Sequence, residues 1–317
     1  MLLKELDLYQ LRTRRQFIGE IFRVVERAKY EAKWEELSRT LDAEIKRYQQ
    51  HFAPYAEVAI SLYDLQTDAR VSIDGDKPFQ PGCVINQFVL YELVKDFQEG
   101  LYPYEPLSTD IGLAVGESKA AVAQNLLKHY VGNGNLGAGV ERVNQLIRTL
   151  GLKTTFMDHP PAFDTVFSLQ QEPNLMTTDE AVDVMVKLYR NQIFKDRYWT
   201  AFAIKRLTEG KPGLNAYIGF YPRELPRLHN QGLIPPPPHV GVAHKVGYFN
   251  DPADAWREVD CDSGLILIDG PEGEIAYAMA IFSKGNNAVP EDSFVKNGWF
   301  TWRVSGAVYN FFEEQYL

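Results

Sequence analysis

The stretch FQPGCVINQFVLYEL, residues 79–93, places a thiol at the start of a predicted buried helix. Pro81 and Gly82 precede Cys83, and a mostly apolar run follows it. A thiolate is a nucleophile, and a thiol loses its proton more easily than a hydroxyl, so Cys83 could transfer acyl groups with little help from a base. Most free cysteines, however, are small buried hydrophobic residues. Both interpretations of Cys83 stay open from the residues alone.

A nucleophilic thiol also needs a group that protonates the leaving atom, and histidine is the most frequent choice. His244 is adjacent to Lys245 on a predicted strand, so the two side chains should lie on opposite faces of the sheet. His129 and His159 have no local pattern that places them beside the thiol. Cys261 precedes a predicted strand and is expected to be structural.

Strand patterns lie near both ends of the chain. EVAISLYDL and ARVSI flank the turn residues 66–68, and Val58, Ile60 and Leu62 alternate as one buried face. After four prolines at 235–238, the segments VGVAHKVGYF, SGLILID and IAYAMAIFSK favour strands, the last two joined by a hairpin. A sheet built from both chain ends is therefore expected.

The remaining segments favour helices and loops. Residues 118–150 and 177–209 read as mostly helical, Gly210–Pro238 as loop-rich, and FTWRVSGAVYNFFEEQYL as a closing helix. We expect these central helices to form a subdomain of about residues 94–235, inserted between the two halves of the sheet.

The N-terminal region predicts two amphipathic helices. Leu8, Leu11, Ile18, Phe22 and Val25 form the apolar stripe of the first, and Leu37, Leu41, Ile45 and Tyr48 that of the second. We divide the chain into a helical extension, 1–32, and a main domain, 33–317. The first stripe either packs on the main domain or, because it approaches a heptad, forms a homodimer contact.

Composition excludes several function classes. The net charge of −9 argues against nucleic-acid binding, which needs a concentrated basic surface. No apolar run reaches the ~20 residues of a membrane span, and the first residues lack a signal-peptide pattern. We expect a cytoplasmic protein, or an exported one if a signal was removed. Two cysteines need no disulfide, no spacing indicates a metal site, and we expect no cofactor.

The order of elements and several local strings resemble the class A β-lactamase and penicillin-binding superfamily over roughly residues 33–317. The strings that carry the resemblance are VAISLYDLQTDARVSIDGDKPFQPGCVINQFVLYEL, GVAHKVGYF, VNQLIRTLGL and NLMTTDEAVDVMVKLY. The resemblance implies an α/β fold of α+β sandwich type, with an antiparallel sheet, an all-helical subdomain and, here, an extra N-terminal helix. It also implies a motif S-x-x-K that opens a central helix, an S-x-N motif in the helical part, and K-T-G on a strand.

Matched to these motifs, the chain departs from the superfamily at the reacting groups. S-x-x-K becomes Cys83-Val84-Ile85-Asn86, so sulfur replaces the nucleophilic oxygen and a neutral amide replaces the lysine. Lys245-Val246-Gly247 keeps two of the three K-T-G positions. By the resemblance, Lys245 and Gly247 would bind a substrate carboxylate and the N–H of Tyr248 would help to bind the oxyanion.

Two further motif positions each have two candidate placements. The S-x-N serine falls near Ser118, in Ser118-Lys119-Ala120, or else the motif falls at 132–134. Asp164 and Glu172 lie in the interval of the glutamate that completes hydrolysis in class A enzymes, without its flanking pattern.

These replacements lead to two functional hypotheses. In the first, the site is degenerate and hydrolyses β-lactams poorly, and the protein is a binding or regulatory pseudoenzyme for a small carboxylate-bearing ligand. In the second, Cys83 is the nucleophile of an acyl hydrolase or transferase that acts on an amide, ester or β-lactam. The two differ in whether the thiol reacts rapidly with electrophiles.

Overall fold

The computed structural model describes residues 30–161, 173–210, 218–234, 236–249, 259–285 and 293–317. The first predicted amphipathic helix, with its stripe from Leu8 to Val25, lies outside the described residues. The same holds for the two candidate acids, Asp164 and Glu172.

A five-stranded antiparallel sheet forms the centre of the molecule, in the order β2-β1-β5-β4-β3. The strands are β1 Glu57–Asp64, β2 Arg70–Ile73, β3 Val240–Phe249, β4 Val259–Gly270 and β5 Gly273–Lys284. Strand β1 from the first part of the chain pairs with β5 from the last part, with Ile60 opposite Ile281. The predicted sheet built from both chain ends is therefore confirmed.

The helices are α1, residues 30–51, and α2 to α9 in chain order. Their bounds are α2 Gln87–Gln98, α3 Ser108–Ile111, α4 Ala120–Leu126, α5 Leu136–Thr149, α6 Thr178–Tyr189, α7 Arg197–Thr208, α8 Phe220–Asn230 and α9 Ser293–Tyr316. Helices α3 and α4 continue into π-helical turns at Gly112–Gly116 and Leu127–Val131. Helices α4 to α7 occupy the two central segments predicted to be helical.

The sheet is buried on both faces, which makes the fold a three-layer α+β sandwich. Strand β5 shows this by alternation: Tyr277 and Met279 lie in one apolar core with residues of α1 and α9. Ala278 and Phe282 lie in a second core with the central helices. Side chains of successive strand residues point to opposite faces, so an almost wholly apolar strand predicts such a doubly covered sheet.

Helix α1 packs across one face of the sheet as its apolar stripe predicts. Leu41 is fully buried and Tyr48 nearly so. At the start of α1, the hydroxyl of Tyr30 donates to Asp64 Oδ2 at 2.7 Å, and Tyr316 of α9 donates to the same oxygen. Because α1 is continuous over residues 30–51, the boundary that we placed at residue 32 falls inside this helix.

The sequence analysis missed one helix and placed the start of one strand too late. The stretch Gly210–Pro238 contains helix α8, which accommodates Pro226 in its interior. Its Leu225 is buried against the core below α9, so packing outweighs the helix-breaking residues. Strand β4 begins at Val259, earlier than the apolar alternation from Ser263 indicates.

Candidate active-site cleft

Cys83 lies on a 3₁₀ turn, Gly82–Asn86, that leads directly into α2. The sequence predicted it on the first turn of the α-helix itself. The thiol is partly exposed, whereas Asn86 is only 2% exposed. A 3₁₀ helix has three residues per turn, so side chains at positions i and i+3 lie one above the other. Asn86 is therefore beneath Cys83 on the same face of the turn.

The 3₁₀ turn that carries Cys83, called the thiol turn below, packs against the edge strand β3 at two glycines. A Cβ atom on Gly82 would lie 2.8 Å from the backbone nitrogen of Tyr248, and Gly82 has a φ of +52°. A Cβ atom on Gly247 would lie 2.1 Å from the carbonyl oxygen of Pro81 and 2.8 Å from the nitrogen of Cys83. Only glycine permits this approach, which brings the backbone of Cys83 beside the strand that carries Lys245.

Lys245 extends from β3 on the face that packs against the central helices. Its side chain is fully buried, and Nζ donates to Ser118 Oγ and, at 2.7 Å, to the carbonyl oxygen of Val246. Burial lowers the pKa of Lys245, while the nearby charges of Cys83 and Asp262 raise it. Within the described residues, Lys245 has no carboxylate at ion-pair distance.

Ser118 is the hydroxyl that the fold brings to Lys245. It follows the π-helical turn Gly112–Gly116 and has a φ of +53°, which is uncommon for a residue with a Cβ atom. The alternative motif placement, residues 132–134, packs instead against the start of α5, where Gly132 lies against Asn135 and Gly139. Of the two placements, the structure brings Ser118 to the lysine.

The amide of Asn86 is a buried hydrogen-bond donor beneath the thiol. Its Nδ2 atom has no hydrogen-bond partner among the described residues, and the same is true of Nε2 of the adjacent Gln87. An unpaired buried donor costs about 1–3 kcal/mol. Asn86 therefore supplies a hydrogen-bond donor below the thiol, and its amide nitrogen has no basicity at neutral pH.

A buried chain of polar groups lies on the other face of β3 and was not predicted. His244 Nδ1 lies 2.8 Å from Asp262 Oδ1, and His244 Nε2 lies 3.0 Å from Arg223 Nη2. The backbone N–H of Ile218 donates to Asp262 Oδ2 at 2.9 Å. Burial lowers the pKa of Arg223, and Asp262 raises it. His244 thus points away from Lys245 and does not serve the thiol.

The signal for this chain of groups was an acid within a strand. Asp262 lies in VDCDSG and is fully buried opposite Val246. Because acids are depleted in strands, one inside an apolar strand indicates a buried partner. The late start that we predicted for β4 left Asp262 outside it. No sequence pattern indicated Arg223 as its neighbour.

The candidate site thus combines a partly exposed thiol, a buried amine, a hydroxyl and an amide donor that has no partner among the described residues. The side chain of Tyr248 is 44% exposed and lies next to Gly247 on β3. Among the described residues, no group of three or more His, Cys, Asp and Glu side chains could hold a metal ion. No helix in the same part of the chain is long and apolar enough to cross a membrane.

The chain belongs to the β-lactamase enzyme family, whose profile matches residues 122–312, more than half of its length. The fold is similar to that of TLA-1 extended-spectrum β-lactamase, with a TM-score of 0.63 and 16% identity over 86% of this chain and 98% of that one. A class A β-lactamase representative from Bacteroides cellulosilyticus DSM 14838 gives a TM-score of 0.64 and 15% identity. The match covers 86% of this chain and 99% of that one.

A mutant of PBP-A, described as an acyl-enzyme complex with penicillin G, gives a TM-score of 0.60 and 16% identity over 86% of this chain and 97% of that one. No curated protein matches the chain. At these identities the structural likeness establishes the β-lactamase/transpeptidase-like fold and nothing finer.

Proposed function

We propose that this member of the family is a binding protein for a small carboxylate-bearing ligand and hydrolyses β-lactams poorly. The observation that carries the proposal is the buried neutral amide of Asn86 beneath Cys83. Hydrolysis of an acyl intermediate needs a base that deprotonates water, and an amide cannot act as one. The position one turn after the nucleophile therefore holds no base, and the two candidate acids, Asp164 and Glu172, lie outside the described residues.

Lys245 supports the carboxylate as the recognised group. An ammonium has three N–H groups, and among the described residues that of Lys245 donates to one hydroxyl and one carbonyl oxygen, which leaves one N–H for a ligand. Burying it without a counter-ion is unfavourable, and burial accordingly lowers its pKa. A bound carboxylate would offset that penalty through a charge-assisted hydrogen bond.

Hydrolysis of a chromogenic cephalosporin and binding of benzylpenicillin test this proposal together. We expect turnover close to the uncatalysed rate, and binding that weakens about tenfold or more in Lys245→Met, because a charge-assisted hydrogen bond is lost. Lys46→Met is the matched control, since Lys46 is 64% exposed and lies on α1, on the other side of the sheet. Turnover at rates usual for enzymes, or equal binding by both variants, would contradict the proposal.

The alternative is a Cys83-dependent acyl hydrolase or transferase for an amide, ester or β-lactam. It is favoured by the partial exposure of Cys83 and by its electrostatic interaction with Lys245. Multiple turnovers that disappear in Cys83→Ala would support it, whereas binding without product would exclude it.

Self-association through residues 1–32 and residence in the cytoplasm also remain proposals. Removing residues 1–29 preserves Tyr30 and its bond to Asp64, and the mass in solution should then fall from dimer to monomer. An unchanged mass would remove the dimer proposal. Fractionation of cells that produce the full chain would test the location.

A further inference from the structure

We propose that Cys83 accepts acyl groups from thioester donors and holds them as a thioester, with a carboxylate on the acyl group bound at Lys245. This inference rests on the proposed carboxylate-binding cleft and adds the donor class and a covalent step. The Cys83-dependent hydrolase or transferase described above would act on amides or β-lactams. A thioester donor, by contrast, transfers its acyl group without a strong base or a strong acid.

Two observations besides the thiol itself indicate a ligand above the 3₁₀ turn. Asn86 is 2% exposed, its Nδ2 has no partner among the described residues, and the turn places it on the same face as Cys83. Lys245 is fully buried, interacts electrostatically with Cys83, and has one N–H beyond its two hydrogen bonds. An acyl group with a carbonyl and a carboxylate oxygen matches these two donors.

The packing of the turn keeps the thiol close to this lysine. Gly247 leaves no room for a side chain between β3 and the backbone of Cys83 and Val84. Since Lys245 and Gly247 are two residues apart on one strand, their side-chain positions lie on the same face. The ligand would therefore lie along the edge of β3, between Cys83 and Ser118.

The covalent step is an exchange of one thioester for another. The Cys83 thiolate attacks the carbonyl carbon, a bond forms between Sγ and that carbon, and the bond from the carbon to the donor sulfur breaks. The donor leaves as a thiolate and takes up the proton that Cys83 lost. An ordinary thiol has a pKa of about 8.5, so this leaving group needs no strong acid, whereas an amide nitrogen must be protonated before it leaves.

Among the described residues, the group beneath Cys83 is the amide of Asn86, which cannot deprotonate an attacking water, so the acyl group remains on Cys83. It leaves by the same exchange in reverse, to a second thiol or to an amine. The acceptor forms the bond to the acyl carbon, the bond to Sγ breaks, and the acceptor proton returns to sulfur. The site is thus suited to carrying an acyl group between a donor and an acceptor.

The test is intact mass spectrometry of the full-length protein with the succinyl and acetyl thioesters of N-acetylcysteamine, which differ in the carboxylate. We expect one long-lived succinyl group per chain, formed about tenfold or more faster than the acetyl adduct because of the charge-assisted contact. Lys245→Met should remove that preference. The adduct should be retained in Cys261→Ser and lost in Cys83→Ser, which carries a hydroxyl without a base.

Protection of Cys83 from iodoacetamide by free succinate reports carboxylate binding separately from acyl transfer. No adduct with either thioester, together with protection by succinate, would overturn the acyl transfer and leave the proposed binding function. Equal rates for the two thioesters would overturn the role of Lys245. Rapid release of succinate over many turnovers would overturn the carrier and favour a hydrolase. Circular dichroism of each variant establishes that it is folded.

Discussion

Replacing Gly247 with alanine should displace the thiol turn and destabilise the protein, whereas the same change at Gly241 should not. Both glycines lie on β3, and their positions share one face of the strand. A Cβ atom at 247 would meet three backbone atoms at 2.1, 2.8 and 2.8 Å. At 241 the nearest atoms are 3.6–3.9 Å away, in ordinary contact.

The comparison isolates the clash. Both variants gain about 0.5–1 kcal/mol from the smaller backbone entropy of alanine, so this term cancels between them. Overpacking costs about 1–3 kcal/mol, and backbone atoms at 2.1 Å favour the upper end for Gly247→Ala. If the free energy of unfolding falls by about 3 kcal/mol per molar urea, the clash lowers the urea concentration at the midpoint of unfolding of Gly247→Ala by about 1 M relative to Gly241→Ala.

Urea denaturation of the two variants, followed by tryptophan fluorescence, measures this difference. The alkylation rate of Cys83 by iodoacetamide should change in Gly247→Ala alone, because the turn must move away from β3. Equal midpoints together with equal alkylation rates would refute the close approach of the turn to the strand.

Three further outcomes follow from burial and charge. Iodoacetamide should modify Cys83 in the folded protein but Cys261 only on unfolding, since Cys261 is fully buried and burial raises its pKa well above the ordinary value; peptide mass spectrometry distinguishes the two. Burial lowers the pKa of Lys245 below its ordinary 10.5 in the folded protein, so the unfolded chain binds more protons and stability increases as the pH rises toward that value. Lys245→Met should reduce this slope in urea titrations carried out at a series of pH values below 10.5. The carboxylate of Glu180 accepts hydrogen bonds from three successive backbone N–H groups, so Glu180→Gln should lower the free energy of unfolding by about 2–3 kcal/mol in thermal melts. Glu141 lies in an exposed ion pair, and Glu141→Gln should change the same quantity by less than about 1 kcal/mol.

The sheet was predictable because each strand carries its own local signal. Alternation in EVAISLYDL and a short hairpin after SGLILID define elements without reference to the rest of the chain. Helix α8 was missed because its two prolines, Pro222 and Pro226, are unfavourable locally. What stabilises it is packing of Tyr221 against Trp302 and Gly306 of α9, a contact that no local pattern contains.

In the candidate site, only residues that lie in a short sequence motif could be located from the sequence. Lys245 and Gly247 could be placed by a short string, but Ser118 is 127 residues away from the lysine and had two competing placements. The contact between them depends on how the central helices stack on the sheet. In the chain from Asp262 through His244 to Arg223, the acid within a strand indicates a buried partner, but the identity of that partner was not predictable because the three residues come from three elements.

The replacements at positions 83 and 86 are better explained together than as two separate losses. A hydroxyl above Asn86 would be unreactive without a base, whereas a thiol in the same place can still ionise. The cleft also keeps features that cost stability: a buried lysine without a carboxylate among the described residues, an unpaired amide, and a serine at φ +53°. In the site that we propose, the carboxylate of an acyl ligand would pair with the lysine, and its carbonyl oxygen would accept from the amide. An apolar residue in place of Lys245 would stabilise a site that had merely lost its chemistry, which supports our proposal that the thiol and the lysine act together.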